Sequence, residues 1–434
     1  MTAPETGTGA PRPAERLAAD TFAVEAGHLL AGGIRLADIA GRHGTPLYVY
    51  DAAVMRRNYG RLSAALAGFA EIHYSIKANP NPAVVAVFLG AGAGVEIASL
   101  GEYRIARTAG AAPGRILFAG PGKRSAELAA VIAEGIGEIH LESLEEIARI
   151  EALAAAGAAA VPVAIRINPV AEVQGGAMRM GGRPAPFGFD EEDLDAVVDR
   201  VAASPSLKLA GVHMFAGTQI LDADVLAAQW THGLAVAGRV AARIGRPLDT
   251  IDLGGGLGIP YFAGETPLDL DRLAAHVPAL KAVQAADPLI CAARVVVEPG
   301  RFLVGPAGIY VAAVLAAKRS RGARFLVTDG GMHHHLAASG NLGQVIKRDY
   351  PLLAPDKVGA ASVGPASVVG PLCTPLDTIA RKAELPDLRE RDLIAVLQSG
   401  AYGLTASPIH FLGHPAPKEV LVDNGAARVI SDGS

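Results

Sequence analysis

The sequence is poor in cysteine, in charge of one sign and in uninterrupted apolar runs. Its 434 residues hold only two cysteines, Cys291 and Cys373. That excludes a disulfide framework and suits a reducing cytoplasm. Lysine and arginine total 39 against 43 acidic residues, and no long basic run occurs. Neither nucleic acid nor an anionic membrane surface is an expected partner. The alanine-rich apolar stretches are broken by charges or glycine, so no transmembrane helix is expected. Residues 1–20, "MTAPETGTGAPRPAERLAAD", lack the apolar core of a signal peptide and read as a disordered tail. The chain shows no low-complexity linker, so its domains are expected to pack closely.

Half of the residues are hydrophobic (50%), enough for one large core and a second, smaller one. Eight short β-branched or apolar runs are separated by helical spacing. They are "EIHYSI" from 71, "AGVEIA" from 93, "RILFA" from 115, "EIHLE" from 138, "VPVAIRI" from 161, "LAGVHMF" from 209, "TIDLG" from 249 and "RVVVE" from 294. Stretches such as "LGEYRIARTAG" and "SLEEIARIEALAAAG" read as the intervening helices. Eight strand–helix units in succession predict an α/β fold, a closed (β/α)8 TIM-type barrel over 46–305. A doubly wound open sheet is the other topology compatible with the alternation. From about residue 306 the helices vanish and strands follow one another: "IYVAAVLAA", "RFLVTDG", "ASVVG", "DLIAVLQ", "EVLVD", "ARVIS". Residues 306–434 therefore read as an antiparallel β domain, which residues 21–45 are expected to join.

In a parallel barrel the active site lies at the C-terminal strand ends. The first strand ends in "YSIKANPNP", which puts Lys77 at that rim. Such a lysine is either a solvated loop residue or an amine aimed into a site for covalent chemistry. The seventh strand runs into "DLGGGLGIPY", with Gly254, Gly255 and Gly256, and the eighth into Glu298, Pro299, Gly300 and Arg301. A glycine run lets backbone N–H groups approach an anion, although it also makes a tight turn. An arginine in the next loop suits a phosphate or carboxylate. A phosphate cradle beside a rim lysine suggests pyridoxal phosphate held on Lys77 as a Schiff base. A carboxylate such as Glu298 against the pyridine nitrogen would keep it protonated and favour loss of CO₂. The structural alternative for Glu298 is a buried salt bridge.

"YSIKANPNP", "RINP", "GVHMFAGTQ", "DLGGGLGIPY", "VEPGR", "GPLCTPLD" and "SGAYG", in this order over about residues 45–425, resemble the fold-type III pyridoxal phosphate decarboxylases. Diaminopimelate, ornithine and biosynthetic arginine decarboxylases belong to that family. The resemblance implies an alanine-racemase/ornithine-decarboxylase-like barrel plus β domain, and a head-to-tail homodimer with two shared sites. It assigns Lys77 to the cofactor aldehyde and Glu298 to the pyridine nitrogen. Thr218, Gly255, Gly256, Gly300, Arg301 and Tyr402 would surround the phosphate. Cys373, arriving from the partner subunit, would return a proton to Cα, although a cysteine can also be a small buried apolar residue.

Three departures from the family pattern bear on substrate. Phe215 stands where a histidine usually stacks on the cofactor, and His213, two residues earlier on the same face, is a partial substitute. Thr374 stands where an acid usually reads a distal amine. After "GGM", where diaminopimelate enzymes carry an arginine, this chain has His333, His334 and His335. Three successive residues cannot all face one way in a strand, so no metal is expected there. Arg301, His333, Thr374 and Asp377 are the candidate substrate contacts. The pattern "GGMHHHLAASGN…GPLCTPLD…SGAYGLTASP" is closer to a subgroup of secondary-metabolite and exopolysaccharide gene clusters. That subgroup includes a butirosin-pathway decarboxylase of a glutamyl group tethered to an acyl carrier protein. The resemblance implies a biosynthetic enzyme with an acylated or carrier-bound amino-acid substrate. A free-amino-acid decarboxylase of diaminopimelate type, a racemase or aldolase, and a non-catalytic homologue are the competing readings.

Overall fold

The structure is a computed structural model that describes residues 10–154, 160–170, 178–179, 184–215, 217–342, 344 and 346–433. Two compact units emerge: residues 58–259 with 266–302, and residues 1–57 with 260–265 and 303–434.

The first unit is a closed parallel barrel. Its strands are β1 (Glu71–Ser75), β2 (Gly94–Ile97), β3 (Ile116–Phe118), β4 (Glu138–Leu141), β5 (Val161–Asn168), β6 (Leu207–Met214), β7 (Thr250–Asp252) and β8 (Arg294–Val297). Each pairs in parallel with the next, and β8 pairs with β1 to close the ring. All eight expected strands are present, and closure decides against the open sheet.

Local chemistry sets the helix starts and stops. Asn81 accepts a hydrogen bond from Ala83 N ahead of the helix Pro82–Gly90, whose first residue is a pre-organised proline. Ser99, Asp222 and Asp269 cap later helices in the same way. The long helix Ala223–Ile244 ends on Gly245 in the left-handed conformation. Its Trp230, Leu234 and Val240 are buried.

The second unit is a mostly antiparallel sheet built on the long strand Gly308–Ser320. Against it lie Ala323–Thr328, Leu393–Val396 and Leu47–Asp51, all antiparallel. Two ladders are parallel: Leu47–Asp51 with Lys418–Asp423, and Ala323–Thr328 with Pro365–Val369. A strand not expected from sequence, Thr378–Glu384, continues the sheet. The N-terminal region departs from expectation in two places. Pro13–Thr21 is a helix with Pro13 at its first position, so the tail expected over 1–20 is ordered in part. Residues 23–35 form a small three-stranded sheet within the second unit, so 21–45 group with the β domain as expected, whereas Leu47–Asp51, expected within the barrel, joins the large sheet. All five residues of Leu47–Asp51 are buried, as befits a central strand.

Candidate active site

In the barrel, β1 gives way to a single turn, Ile76–Ala78, that carries Lys77 to the rim. The Lys77 side chain is 46% exposed, whereas the neighbouring Glu96 carboxylate from β2 is 1% exposed. Lys77 Nζ donates to Glu96 Oε2 at 3.2 Å and Oε1 at 3.3 Å, and Ser75 Oγ donates to Oε2 at 2.5 Å. Sequence reading missed Glu96, although an acid ending an apolar run beside the lysine strand signalled it.

After β7 the chain makes the glycine turn. A side chain on Gly255 would meet Glu298 O at 2.5 Å, and one on Gly256, where φ is +96°, would meet Gly217 O at 2.8 Å. The glycines leave bare backbone where a phosphate needs N–H donors. The loop is tied to the one carrying Thr218: Ile220 N donates to Gly256 O and Gly258 N to Ile220 O, both at 2.9 Å. Phe215 reaches the same turn, its ring edge 3.8 Å from a Cβ built on Gly255. Gly300 follows Glu298 in the next loop, and Arg301 opens the short helix Arg301–Val304.

Glu298 is 5% exposed and stands at the end of β8. Its Oε2 lies 3.3 Å from His213 Nε2. Its Oε1 has no hydrogen-bond partner among the described residues. Burial lowers the His213 imidazole to about 4, only partly offset by Glu298, so it is neutral at physiological pH. Burial works against a charge on Glu298, but its partners overcome this and hold it well below the ordinary carboxylate value. His213, expected as a partial substitute for a stacking histidine, is 1% exposed and packs on His140 with ring centroids 4.3 Å apart. It supports Glu298 from inside the barrel. His140 and Asp252 complete that buried group, and sequence reading missed both.

A rim amine, a bare glycine cradle and a buried carboxylate with an unsatisfied oxygen fit pyridoxal phosphate: aldehyde, phosphate and protonated ring nitrogen each meet a suitable group.

The remaining candidate residues lie in the sheet unit. Cys373 is exposed in a turn that Asp377 braces. The buried Asp377 accepts hydrogen bonds from Met332 N at 2.6 Å and Leu372 N at 2.9 Å, one on each oxygen. The carboxylate occupies the space a side chain on Gly331 or Gly370 would need. This occupies both oxygens with backbone, which suits a brace better than the expected substrate contact. His333 is fully buried against His334 and His414, with centroids 3.6 and 5.0 Å away, so in this chain it presents no face to substrate. His334 Nε2 pairs with Pro415 O at 3.0 Å, and His335 Nε2 with Ser399 Oγ at 3.0 Å. Burial holds all three imidazoles neutral, His333 and His335 at about 3 and His334 at about 4. Thr374 is half-buried beside Cys373, and Tyr402 sits in the loop after Leu393–Val396 with a positive φ of 53°.

Comparison with known proteins gives the family. The pyridoxal-binding domain of the pyridoxal-dependent decarboxylases matches residues 53–305. The chain is 39% identical, over 90% of its length and 91% of the relative, to the L-glutamyl-[BtrI acyl-carrier protein] decarboxylase of Niallia circulans. It is 32% identical to the diaminopimelate decarboxylase of Methanothermobacter thermautotrophicus, over 94% of this chain and 93% of that one. The diaminopimelate decarboxylase of Helicobacter pylori, solved with L-lysine, superposes with a TM-score of 0.81 at 27% identity, covering 91% of this chain and 95% of that one. The likeness runs along nearly the whole chain, which belongs to the fold-type III pyridoxal 5'-phosphate-dependent decarboxylases and is an enzyme of that class.

Proposed function

We propose that the enzyme releases CO₂ from an α-amino acid whose distal carboxyl is held as a thioester on a carrier protein, in a biosynthetic pathway. The observation that carries this reading is the turn Leu372–Leu376, in which the exposed Cys373 is followed by Thr374 and Pro375 and no residue is charged. A free diamino acid would bring a second charge there without a counter-charge. The segment after "GGM" supplies no arginine either, because its three histidines are buried and neutral. A neutral thioester needs neither reader. The 39%-identical relative is named for a substrate of this kind.

Lys77 is the residue for the cofactor aldehyde, Thr218, Gly255, Gly256, Gly300, Arg301 and Tyr402 for its phosphate, and Glu298 for its ring nitrogen. Phe215 offers an aromatic face to the ring. When bound, the cofactor supplies the electron sink that lets the α-carboxylate leave. Arg301 and Thr374 are the remaining candidates for substrate contact. Cys373 has the thiol that returns a proton to Cα after CO₂ departs. We assign it to the site of a partner subunit, in a cytoplasmic homodimer. Among the described residues no helix is long and apolar enough to cross a membrane.

The test is CO₂ release from a glutamyl thioester on a carrier protein, compared with free glutamate, ornithine and diaminopimelate at matched concentration. Burying an unpaired charge costs several kcal/mol, so discrimination of about a hundredfold or more against the free diamino acids is expected. Comparable turnover of free diaminopimelate would overturn the carrier-bound reading and leave the decarboxylase in place.

A further inference from the structure

Barrel lumens are usually packed with branched apolar side chains. This one is polar below its rim. His140, His213, Asp252 and Glu298 are all buried, and one ring nitrogen or carboxylate oxygen from each lies within 4.8 Å of all the others. Register explains the convergence. His213 on β6 pairs with Asp252 on β7, and Asp252 pairs with Val296 on β8. Glu298, two residues after Val296, points to the same face. The backbone then fastens the two acids together: Gly254 N donates to Asp252 Oδ1 and Glu298 N donates to Gly254 O, each at 2.8 Å.

Two carboxylates in contact in a dry site cannot both be charged. Asp252 Oδ2 and Glu298 Oε1 both lack a hydrogen-bond partner among the described residues, and a proton shared by the acids satisfies both oxygens. Their surroundings decide which acid keeps it. Glu298 has His213 Nε2 at 3.3 Å and is also within reach of His140 and, more remotely, His73. Asp252 faces a second carboxylate, Glu138, and its Oδ2 lies 3.8 Å from His140 Nε2, which is closer to Glu138 Oε1 at 3.2 Å. Burial, followed by the charge of Glu298, pushes Asp252 well above the ordinary carboxylate value.

We propose that Asp252 is a positioning residue that stays protonated and donates a hydrogen bond to Glu298, leaving Glu298 the one anion of the pair, available for the cofactor's ring nitrogen. This rests on the decarboxylase assignment of Glu298. The shared proton would stay in place through the working pH range. The ring nitrogen would then keep its proton whatever happens at the rim. His140 stacks on His213 and turns toward Glu138 in this arrangement.

The test begins with the apoenzyme, so that it does not depend on turnover. Infrared difference spectra between wild type and Asp252→Asn should show a protonated carboxyl stretch lost in the variant. Isotopic labelling of aspartate carboxyls should shift that band, and labelling of glutamate carboxyls should leave it in place. Cofactor affinity of the same apoproteins supplies a second readout. An amide reproduces both the donor and the acceptor of a protonated aspartate, so Asp252→Asn should bind the cofactor within about threefold of wild type. Asp252→Val, with no donor, should bind about tenfold more weakly or worse. A band that follows the glutamate label, an asparagine variant as weak as the valine variant, or stoichiometric zinc binding that Asp252→Asn abolishes would each overturn the proposal. Failure of wild type to hold cofactor on Lys77 would instead defeat the assignment of the site, while the infrared result would still locate the proton.

Discussion

Lys77 and Glu96 meet at adjacent strand ends, with the ammonium 3.2 Å from a carboxylate that is almost wholly buried. The carboxylate cannot follow solvent, so it aims a side chain that is itself half in water. Lys77→Ala should abolish covalent capture of the cofactor and leave the barrel folded, because a rim lysine contributes little core packing. Borohydride reduction followed by peptide mass spectrometry should find the cofactor on Lys77, and a label on another lysine would refute the assignment. Glu96→Gln keeps the shape but loses the charge. Cofactor capture should then slow by about three- to tenfold, a modest effect because the pair is partly solvated.

The exposed thiol of Cys373 leads to a subunit-mixing experiment. Lys77→Ala and Cys373→Ala chains should each be inactive alone. If each site takes its lysine from one subunit and its cysteine from the other, about a quarter of the sites in a randomly mixed dimer population carry both residues. Activity should recover toward that fraction on mixing. Verified heterodimers without activity would place both residues in one subunit.

Asp377 holds two backbone donors, Met332 N in the "GGM" segment and Leu372 N in the "GPLC" segment. Asp377→Ala would strand both donors in a buried place, at a cost of about 2–4 kcal/mol. The melting temperature should fall, and Cys373 should become more reactive toward a thiol reagent as its turn loosens. Asp377→Asn should rescue little, since one backbone N–H would then face an amide N–H.

Acid should unfold this protein through its histidines. His73, His333 and His335 are held at about 3 by burial, and His213 and His334 at about 4. In the unfolded chain each would titrate near its ordinary value of 6.5. Their folded values are depressed, so the unfolded state binds more protons below that pH. The stability they contribute is complete above about 6.5 and is lost as pH falls from there toward 3–4. The slope is at most about 1.4 kcal/mol per histidine per pH unit. Denaturant titrations between pH 7 and pH 5 should show it, and replacing His335 with a residue that does not titrate should flatten the curve.

The strand pattern made the barrel legible. Both faces of a parallel strand are buried, so each strand reads as a nearly continuous apolar run. The same pattern held a clue to the polar lumen that was not taken up. "EIHYS", "EIHLE", "GVHMF" and "TIDL" each set a histidine or acid between apolar neighbours, at the period of two that points it into the barrel. His73, His140, His213 and Asp252 lie at those positions and are buried. Which of them touch Glu298 depends on register between strands far apart in sequence, and no local pattern encodes that. The β unit was harder to read at its edges. Thr378–Glu384 is rich in charge, since an edge strand faces water on one side, and Leu47–Asp51 sits in sequence beside the barrel although it pairs elsewhere.

The position of Leu47–Asp51 also has a consequence for synthesis of the chain. The strand lies between Gly308–Ser320 and Lys418–Asp423 in the sheet, so a segment made before the barrel pairs with two made after it. The barrel strands can all pair once residue 297 has emerged, but the sheet cannot close until nearly the whole chain is made. During that interval an apolar strand with two unpaired edges is open to other chains. Nascent chains truncated before Lys418 should accordingly be the species that aggregate or recruit chaperones, while those truncated later should fold.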